Sequence, residues 1–280
     1  MINLCNIDIG FKTLLTIFKQ FSTHESPPII EVYPHSIDFS LGTIRFYGTI
    51  SSTDIYSLID VLNLKLPIKR VDCHGLIDPC FDCIVSLYHL LSINHSLIDV
   101  DIFPHYIDTE SGIFSFSTLN HIELTVENVC DLSSFGLKEL TLQGCRFADD
   151  ALAVLCDLLV VNTSLTYLEL SYCDLSDTDF LRIVDSLRLN SSLHVRSMYF
   201  GGNLFGNCSA KALAELLKEN TTVSKIHLWG NSIGNEGALG FSNLLMLNYT
   251  IEFINLGNNP INQGTKAEIQ KLSNGRIVFL

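Results

Sequence analysis

Apolar and polar residues alternate in short runs that return at a fixed interval along the chain. One run lies at residues 223–228 and the next at 251–256, so the interval, 251 minus 223, is 28 residues. Because successive side chains of a β-strand point to opposite faces, each run predicts a short strand with one apolar face.

Between two such strands, apolar and small residues follow the three- and four-residue spacing of a helix with one buried face. In one interval these residues are Ala238, Phe241, Ser242 and Leu245. Each interval therefore predicts a strand, a turn and a helix. A single unit cannot bury its own apolar face, whereas stacked units form a continuous core. The pattern predicts an α/β solenoid with a parallel sheet.

The repeat follows the template L-x-x-L-x-L-x-x-N-x-L over about nine units. The units begin at Leu41, Ile68, Leu97, Leu119, Leu137, Leu165, Val195, Val223 and Ile251. The polar position of the later units is held by Cys145, Cys173, Asn203, Asn231 and Asn259. A small polar side chain is needed there, since the turn after a strand leaves backbone groups unpaired.

These units resemble leucine-rich repeats of the ribonuclease-inhibitor-like subfamily. The resemblance is carried by the 28-residue interval, by the alternation of Asn and Cys, and by the sequence N-x-I-G-x-E-G-A at 231–238. The helix end L-x-x-N-x-[ST]-[LVI] recurs at 91–97, 159–165, 187–193, 217–223 and 245–251. The resemblance implies a right-handed horseshoe with a concave sheet and convex helices, and a protein-binding role.

The ends of a solenoid need covers, because an open end exposes the core. Residues 1–40 are predicted to form an N-terminal cap, with a helix that begins at Asp8 and two short strands. The repeats occupy 41–261. Residues 262–280 are predicted to form a C-terminal cap, with a helix near 265–272 and a strand at 276–280 that pairs with the last unit.

The middle of the repeat region departs from the template. Leu97 and Leu119 are 22 residues apart, and Leu119 and Leu137 are 18 apart, which leaves no room for the usual helix. Helices about 10 Å apart behind strands about 4.8 Å apart bend a solenoid, so we expect a flatter arc here. Irregular chain at 108–118 and 130–136 is predicted to cover the outer side, filled by Phe114, Phe116 and Phe135.

Template positions that alternate with the core residues are predicted to line the concave face. The acidic residues of this face are Asp72, Asp99, Asp101, Glu123 and Glu169. The aromatic ones are Tyr167, Tyr172, Tyr199, Trp229 and Phe253, with Lys225 and His227 beside them. Aromatic anchors rimmed by charge are typical of binding hot spots. For Trp229, the only tryptophan, the alternative is that it covers the backbone of Gly201 and Gly257.

Composition narrows the class of partner. The 280 residues carry a formal net charge of −13, whereas nucleic-acid binding needs clustered Lys and Arg. The charge suits a basic protein partner, or serves solubility alone. No apolar run approaches the roughly 18 residues of a membrane span, and no signal peptide is recognised. Nine scattered cysteines favour free thiols in a reducing compartment, so we expect a cytoplasmic protein.

Three motifs suggest chemistry, and the repeat explains most of them. Residues 230–234 fit the G-x-S-x-G pattern of a serine hydrolase, but Asn231, Ile233 and Gly234 are template positions. The C-x-x-C at 80–83 has no second pair to complete a zinc site. Five of the six N-x-[ST] triplets are helix ends. The sequence therefore predicts no catalytic residue, metal site or cofactor.

The leading hypothesis is a non-enzymatic protein-interaction scaffold that binds a basic, partly apolar protein on its concave face. By similarity to the activator branch of the subfamily, a regulator of a small GTPase is one alternative. The repeat part of a secreted effector is another. The sequence argues against nucleic acid and membrane as partners.

Overall fold

The fold is described here from a computed structural model. The described residues are 2–3, 16, 30–32, 35–38, 43–50, 70–76, 99–102, 105–108, 113–117, 123–124, 136–273 and 276–280. The chain divides into two compact units, residues 1–116 and 117–280.

The first unit is built on short strands. They are β1 (Ile2–Asn3), β2 (Ile30–Val32), β3 (His35–Asp38), β4 (Thr43–Ile50), β5 (Arg70–Leu76), β6 (Asp99–Ile102), β7 (His105–Asp108) and β8 (Ile113–Ser117), whose last residue crosses the unit boundary. Strands β4, β5 and β6 are parallel and place Ile44, Val71 and Val100 in register, as the template predicts.

The parallel pairing predicted for the repeats does not hold throughout this unit. Pairs β2–β3, β3–β4, β6–β7 and β7–β8 are antiparallel. The cause is connection length, because a parallel crossover needs about a dozen residues or more. Only residues 103–104 join β6 to β7. Residues 113–117 are also a strand rather than irregular chain.

The second unit alternates strands with helices. Its elements are β9 (Glu123–Leu124), β10 (Glu139–Gln143), β11 (Arg146–Phe147), α1 (Asp149–Val161), β12 (Tyr167–Glu169), α2 (Asp177–Leu189), β13 (Ser197–Tyr199), α3 (Asn207–Leu217), β14 (Lys225–His227), α4 (Asn235–Leu247), β15 (Phe253–Asn255), α5 (Gln263–Leu272) and β16 (Ile277–Phe279).

Strands β10 and β12 to β16 pair in parallel in chain order. In β10 and β12 to β15, the residues that lie in register on the core face have no exposed surface: Leu140, Leu168, Met198, Ile226 and Ile254. These are the apolar template positions, so the predicted core is confirmed for this unit. The predicted C-terminal helix and strand are confirmed as α5 and β16, which pairs with β15.

The predicted place of Glu123 on the concave sheet is wrong. Its strand, β9, pairs with β11 in a separate two-stranded sheet that sets Glu123 opposite Arg146. This change falls where two successive units, which begin at Leu119 and Leu137, are only 18 residues apart instead of 28. The Ala148 N–H then donates to the Leu124 carbonyl at 3.2 Å.

Several predictions fall outside the described residues. They include the helix at Asp8, the side chains of Phe114 and Phe135, and the C-x-x-C at 80–83. Phe116 is fully buried. The domain boundaries at 40 and 261, the number of units and the horseshoe curvature stay predictions.

Asparagine side chains join consecutive turns at the end of the strands. The Asn203 Oδ1 accepts from the N–H groups of Cys173 (3.0 Å) and Leu175 (3.1 Å) in the preceding unit. Its Nδ2 donates to the carbonyls of Leu170 (2.9 Å) and Phe200 (3.0 Å). At the same template position, the Cys173 thiol contacts the backbone carbonyls of Leu142 (3.1 Å) and Ser171 (3.5 Å). Asn therefore pairs more of the backbone than Cys, which is the weaker donor.

A second set of asparagines joins the helix ends. The Asn248 Nδ2 donates to the carbonyls of Leu217 and Asn220, both at 2.7 Å. Its Oδ1 accepts from the N–H groups of Thr250 (2.8 Å) and Ile251 (2.9 Å). Asn162, Asn190 and Asn220 hold the corresponding place in other units. The N-x-[ST] triplets at Asn190 and Asn248 thus lie on buried, hydrogen-bonded side chains.

The first residue of one helix caps the next helix in the stack. The Asn207 Oδ1 in α3 accepts from the N–H groups of Gly234 (2.8 Å) and Gly237 (2.9 Å) at the start of α4. Gly234, the N-cap of α4, has no side chain to perform this role. The sequence did not reveal this arrangement, because the capping residue lies 27 and 30 positions away.

Asp177 performs the same role for α3 with a charged group. Its Oδ1 accepts from the N–H groups of Gly206 (3.0 Å) and Ser209 (3.2 Å). The Ser209 hydroxyl donates to the same atom at 2.5 Å. Partial burial acts to raise the pKa of Asp177, but these hydrogen bonds outweigh it and leave the pKa below its ordinary value.

We expect Asn248→Ala to lower the free energy of unfolding by about 3 kcal/mol, since four backbone groups lose their partner and two of these hydrogen bonds are buried. Urea unfolding followed by circular dichroism measures the change. Asn243→Ala, on the exposed side of α4, is the matched control and should change stability by no more than about 0.5 kcal/mol. Equal effects of the two substitutions would contradict the bridging role.

Asp177→Asn is expected to keep the two backbone hydrogen bonds and to change how stability depends on pH. The folded pKa of Asp177 lies below the unfolded value of about 3.9. The carboxylate therefore contributes stability above the unfolded pKa, and this is lost as pH falls through the folded pKa. Urea unfolding should show wild type more stable than Asp177→Asn at pH 6, with the difference vanishing toward strong acid. A difference that does not change with pH would refute this.

Candidate protein-binding site

Strands β12 to β16 expose one face of the sheet. In β13 and β15 the central residue is buried, and the first and third residues are half-buried. In β14 the first residue, Lys225, is exposed. This alternation follows from strand geometry, which sends neighbouring side chains to opposite faces. The residues that face away from the core are thus free to form a surface.

A continuous row of rings crosses this face, and we call it the aromatic row. It consists of Tyr167, Tyr199, His227, Phe253 and Phe279. The centroid distances between successive rings are 5.0, 4.1, 4.6 and 5.6 Å. Rings reach this contact because parallel strands lie about 4.8 Å apart. Four of the five residues were predicted for the concave face. Phe279 was missed, although its place in β16 puts it next to Asn255 in register.

His227 has a ring on each side. It stacks on Tyr199 at an interplanar angle of 14° and on Phe253 at 28°. Burial lowers the pKa of His227, and the charge of Lys225 lowers it further. The imidazole is therefore neutral at pH 7. Because the rings stack on one another, they present mainly their edges to a partner.

Glu169 lies at the foot of the row and is nearly buried, with 9% of its surface exposed. Its carboxylate accepts from the Ser171 N–H at 3.1 Å and from the Tyr167 hydroxyl at 3.3 Å. Burial raises the pKa of Glu169, although hydrogen bonds from the Ser171 hydroxyl, the Ser171 N–H and the Tyr167 hydroxyl partly offset the rise. Burial and the nearby Glu169 carboxylate also raise the pKa of Tyr167 and Tyr199. Glu169 is thus not the exposed acidic residue that the strand pattern suggested.

Trp229 and Tyr172 lie beside the row, over glycines of the turns. A Cβ at Gly201 would lie 2.4 Å from the Trp229 Nε1, and a Cβ at Gly202 would lie 2.6 Å from the Tyr172 Cδ1. The two rings meet edge to face with centroids 5.4 Å apart. Trp229 therefore covers Gly201, as the alternative interpretation held, but the ring does not reach Gly257. It remains half-exposed.

The predicted acidic column is only partly assembled. Asp101 is the register partner of Asp72, and Asp99 that of Arg70, in the first unit. The side chains of these residues are outside the described set. Glu123 is not in this sheet.

The part of the chain that the structure describes includes the serine motif at residues 230–234. No group of three or more His, Cys, Asp or Glu in this described part of the chain is placed to hold a metal ion. Ser232 lies in a repeat turn, and its N–H donates to the Phe205 carbonyl at 3.0 Å. Among the described helices, none is long and apolar enough to cross a membrane.

Comparison with known proteins identifies the repeat. A family model described as "Leucine Rich repeat" matches residues 161–179 and 219–242. These two segments are therefore leucine-rich repeats. The two matches fall on the transitions from α1 through β12 to α2, and from the end of α3 through β14 to α4. The ribonuclease-inhibitor-like subfamily stays a prediction, and no curated protein sequence matches the chain.

Three solved structures show limited similarity to these repeats. Actin-binding site 2 of leiomodin-1 is 17% identical, with 54% of this chain and 86% of that chain covered and a TM-score of 0.41. The tropomodulin C-terminal domain of Caenorhabditis elegans is 8% identical, with 56% of this chain and 84% of that chain covered and a TM-score of 0.35. An internalin from Listeria monocytogenes is 13% identical, with 95% of this chain and 94% of that chain covered and a TM-score of 0.27. Similarity at this level carries no functional inference.

We expect Gly201→Ala to displace the Trp229 ring, since the added methyl group would overlap Nε1. Because Trp229 is the only tryptophan, its fluorescence should move to longer wavelength as the ring meets more water. Gly257→Ala changes the corresponding glycine of a later unit, which the ring does not cover, and should leave the emission unchanged. The same spectrum in all three proteins would show that Trp229 does not rest on Gly201.

Proposed function

We propose that the leucine-rich repeats of residues 117–280 form a non-enzymatic scaffold that binds a protein partner through the aromatic row. The observation that carries this proposal is the row itself. Five rings occupy the face of the sheet that the core does not use, and Phe279 is 56% exposed. Aromatic side chains on an accessible surface are the residues most often found as binding hot spots.

The proposed partner is basic and partly apolar. The net charge of −13 favours approach of a cationic protein, and the ring edges favour apolar contact. Cytoplasmic location is part of the proposal. Its support is that the described cysteines Cys145, Cys156, Cys173 and Cys208 are all free thiols. Burial raises the pKa of the Cys145 thiol to about 12, so this group is unreactive. No specific contact among the described residues favours the GTPase regulator or the effector.

We expect Tyr199→Ala/Phe253→Ala to weaken binding of the partner by about 30-fold, equivalent to about 2 kcal/mol, because two adjacent anchors are lost. The partner is first captured by the wild type from extracts of the source cells and identified. Its dissociation constant is then measured for each variant by calorimetry.

Tyr249→Ala is the matched control. Tyr249 is 82% exposed but lies after α4, away from the row, so its loss should change affinity less than about twofold. Circular dichroism checks that all variants are folded. An affinity that is the same for the double variant and the wild type would refute the proposed function.

A further inference from the structure

The aromatic row ends at Tyr167, next to strand β10. In register, Glu139 lies beside Tyr167, and Thr141 lies beside Glu169. The third residues of β13, β12 and β10 have progressively shorter side chains: Tyr199, Glu169 and Thr141. Glu139 and Thr141 are both half-buried and so remain accessible. The end of the row is therefore a step down in the surface, with two carboxylates beside the last ring.

Glu169 is a buried carboxylate whose hydrogen-bond donors are all neutral. They are the N–H and the hydroxyl of Ser171 and the hydroxyl of Tyr167. No ion pair joins Glu169 to a cation among the described residues, whereas Arg146, Lys211, Arg188 and Lys218 each have an acidic partner elsewhere. Burying an ionised carboxylate without a cation is unfavourable. A cation that reached this step would remove that cost.

We propose that Glu169, Glu139, Thr141 and Tyr167 form a subsite for an arginine side chain of the protein partner. This inference rests on the proposed function and assigns one contact within it. The guanidinium would donate to the Glu169 carboxylate and lie against the Tyr167 ring. Arginine fits better than lysine, because its planar group both donates two parallel hydrogen bonds and stacks on an aromatic face.

The geometry of the aromatic row favours Tyr167 over the other rings as the contact for an arginine side chain. His227 has both ring faces covered by neighbours and is itself next to Lys225, which repels a cation. Tyr167 has its ring neighbour, Tyr199, on the β13 side, and it terminates the row on the β10 side. The partner is therefore expected to place an arginine at Tyr167 and apolar residues along Tyr199 to Phe279.

The subsite can be tested without knowing the partner. N-acetyl-arginine amide is titrated into the ¹⁵N-labelled full chain and followed by NMR. N-acetyl-citrulline amide, which has nearly the same shape but no charge, is the control probe. We expect saturable shifts of the Ser171 amide and the Tyr167 ring signals with the arginine probe and none with the citrulline probe.

Glu169→Gln should weaken binding of the arginine probe at least tenfold, and Glu139→Gln about threefold, since the second carboxylate is more exposed. Gln keeps an acceptor for the Ser171 N–H, so the fold is expected to survive, and urea unfolding checks this. Glu219→Gln removes the same charge from the exposed residue just after α3 and should leave probe binding unchanged.

The inference and the proposed function fail in different ways. Absence of a saturable shift at Ser171, or equal probe binding by wild type and Glu169→Gln, overturns the arginine subsite. The aromatic row is then still supported if Tyr199→Ala/Phe253→Ala weakens the captured partner. If that double variant binds the partner as wild type does, the proposed function is wrong whatever the probe shows. A partner weakened by both sets of substitutions supports the two together.

Discussion

Each repeat of the second unit depends on side-chain amides that hydrogen-bond to the backbone of the preceding repeat. Asn203 pairs with five backbone groups, three by donation and two by acceptance, and Asn248 pairs with four, two by donation and two by acceptance. Turns between strands and helices leave such groups without regular partners, and leaving them unpaired in a core is costly. The asparagines pair these backbone groups at two places in the stack, at the end of the strands and at the end of the helices. Since five of these nine bonds link residues 28 to 33 positions apart, the amides also hold neighbouring units in register.

Register then decides which side chains meet on the open face of the sheet. Tyr199 and His227 stack because their strands pair Tyr199 with His227 directly, and Phe253 reaches His227 from the next strand. A slip by one residue would turn these rings toward the core. The aromatic row is therefore a consequence of the asparagine bridges. Where the interval between units shortens, as between Leu119 and Leu137, strand β9 pairs with β11 in a separate sheet.

Close approach between units imposes a further constraint at the turns. Gly201 and Gly202 leave the space that Trp229 and Tyr172 occupy, and Gly202 adopts a positive φ of 66° that favours glycine. The two large rings thus seal the backbone of the turns while keeping part of their surface accessible. A large ring at this position packs against the neighbouring turn and can also contact a partner. Its presence alone therefore does not distinguish a structural role from a binding role.

The sequence by itself determined the repeat, the buried strand positions and the positions of the asparagines, because these depend on a local pattern that recurs many times along the chain. It also determined which face of β12 to β15 carries Tyr167, Tyr199, His227 and Phe253, since strand alternation is a local rule. Only the tertiary structure decided that Glu169 is buried under a tyrosine, that Asn207 caps the helix of the next unit, and that Glu123 lies outside the sheet. Each of these depends on contacts between residues about a repeat apart, or on a strand changing its partner. Such contacts follow from how the units stack, which the pattern of a single unit does not specify.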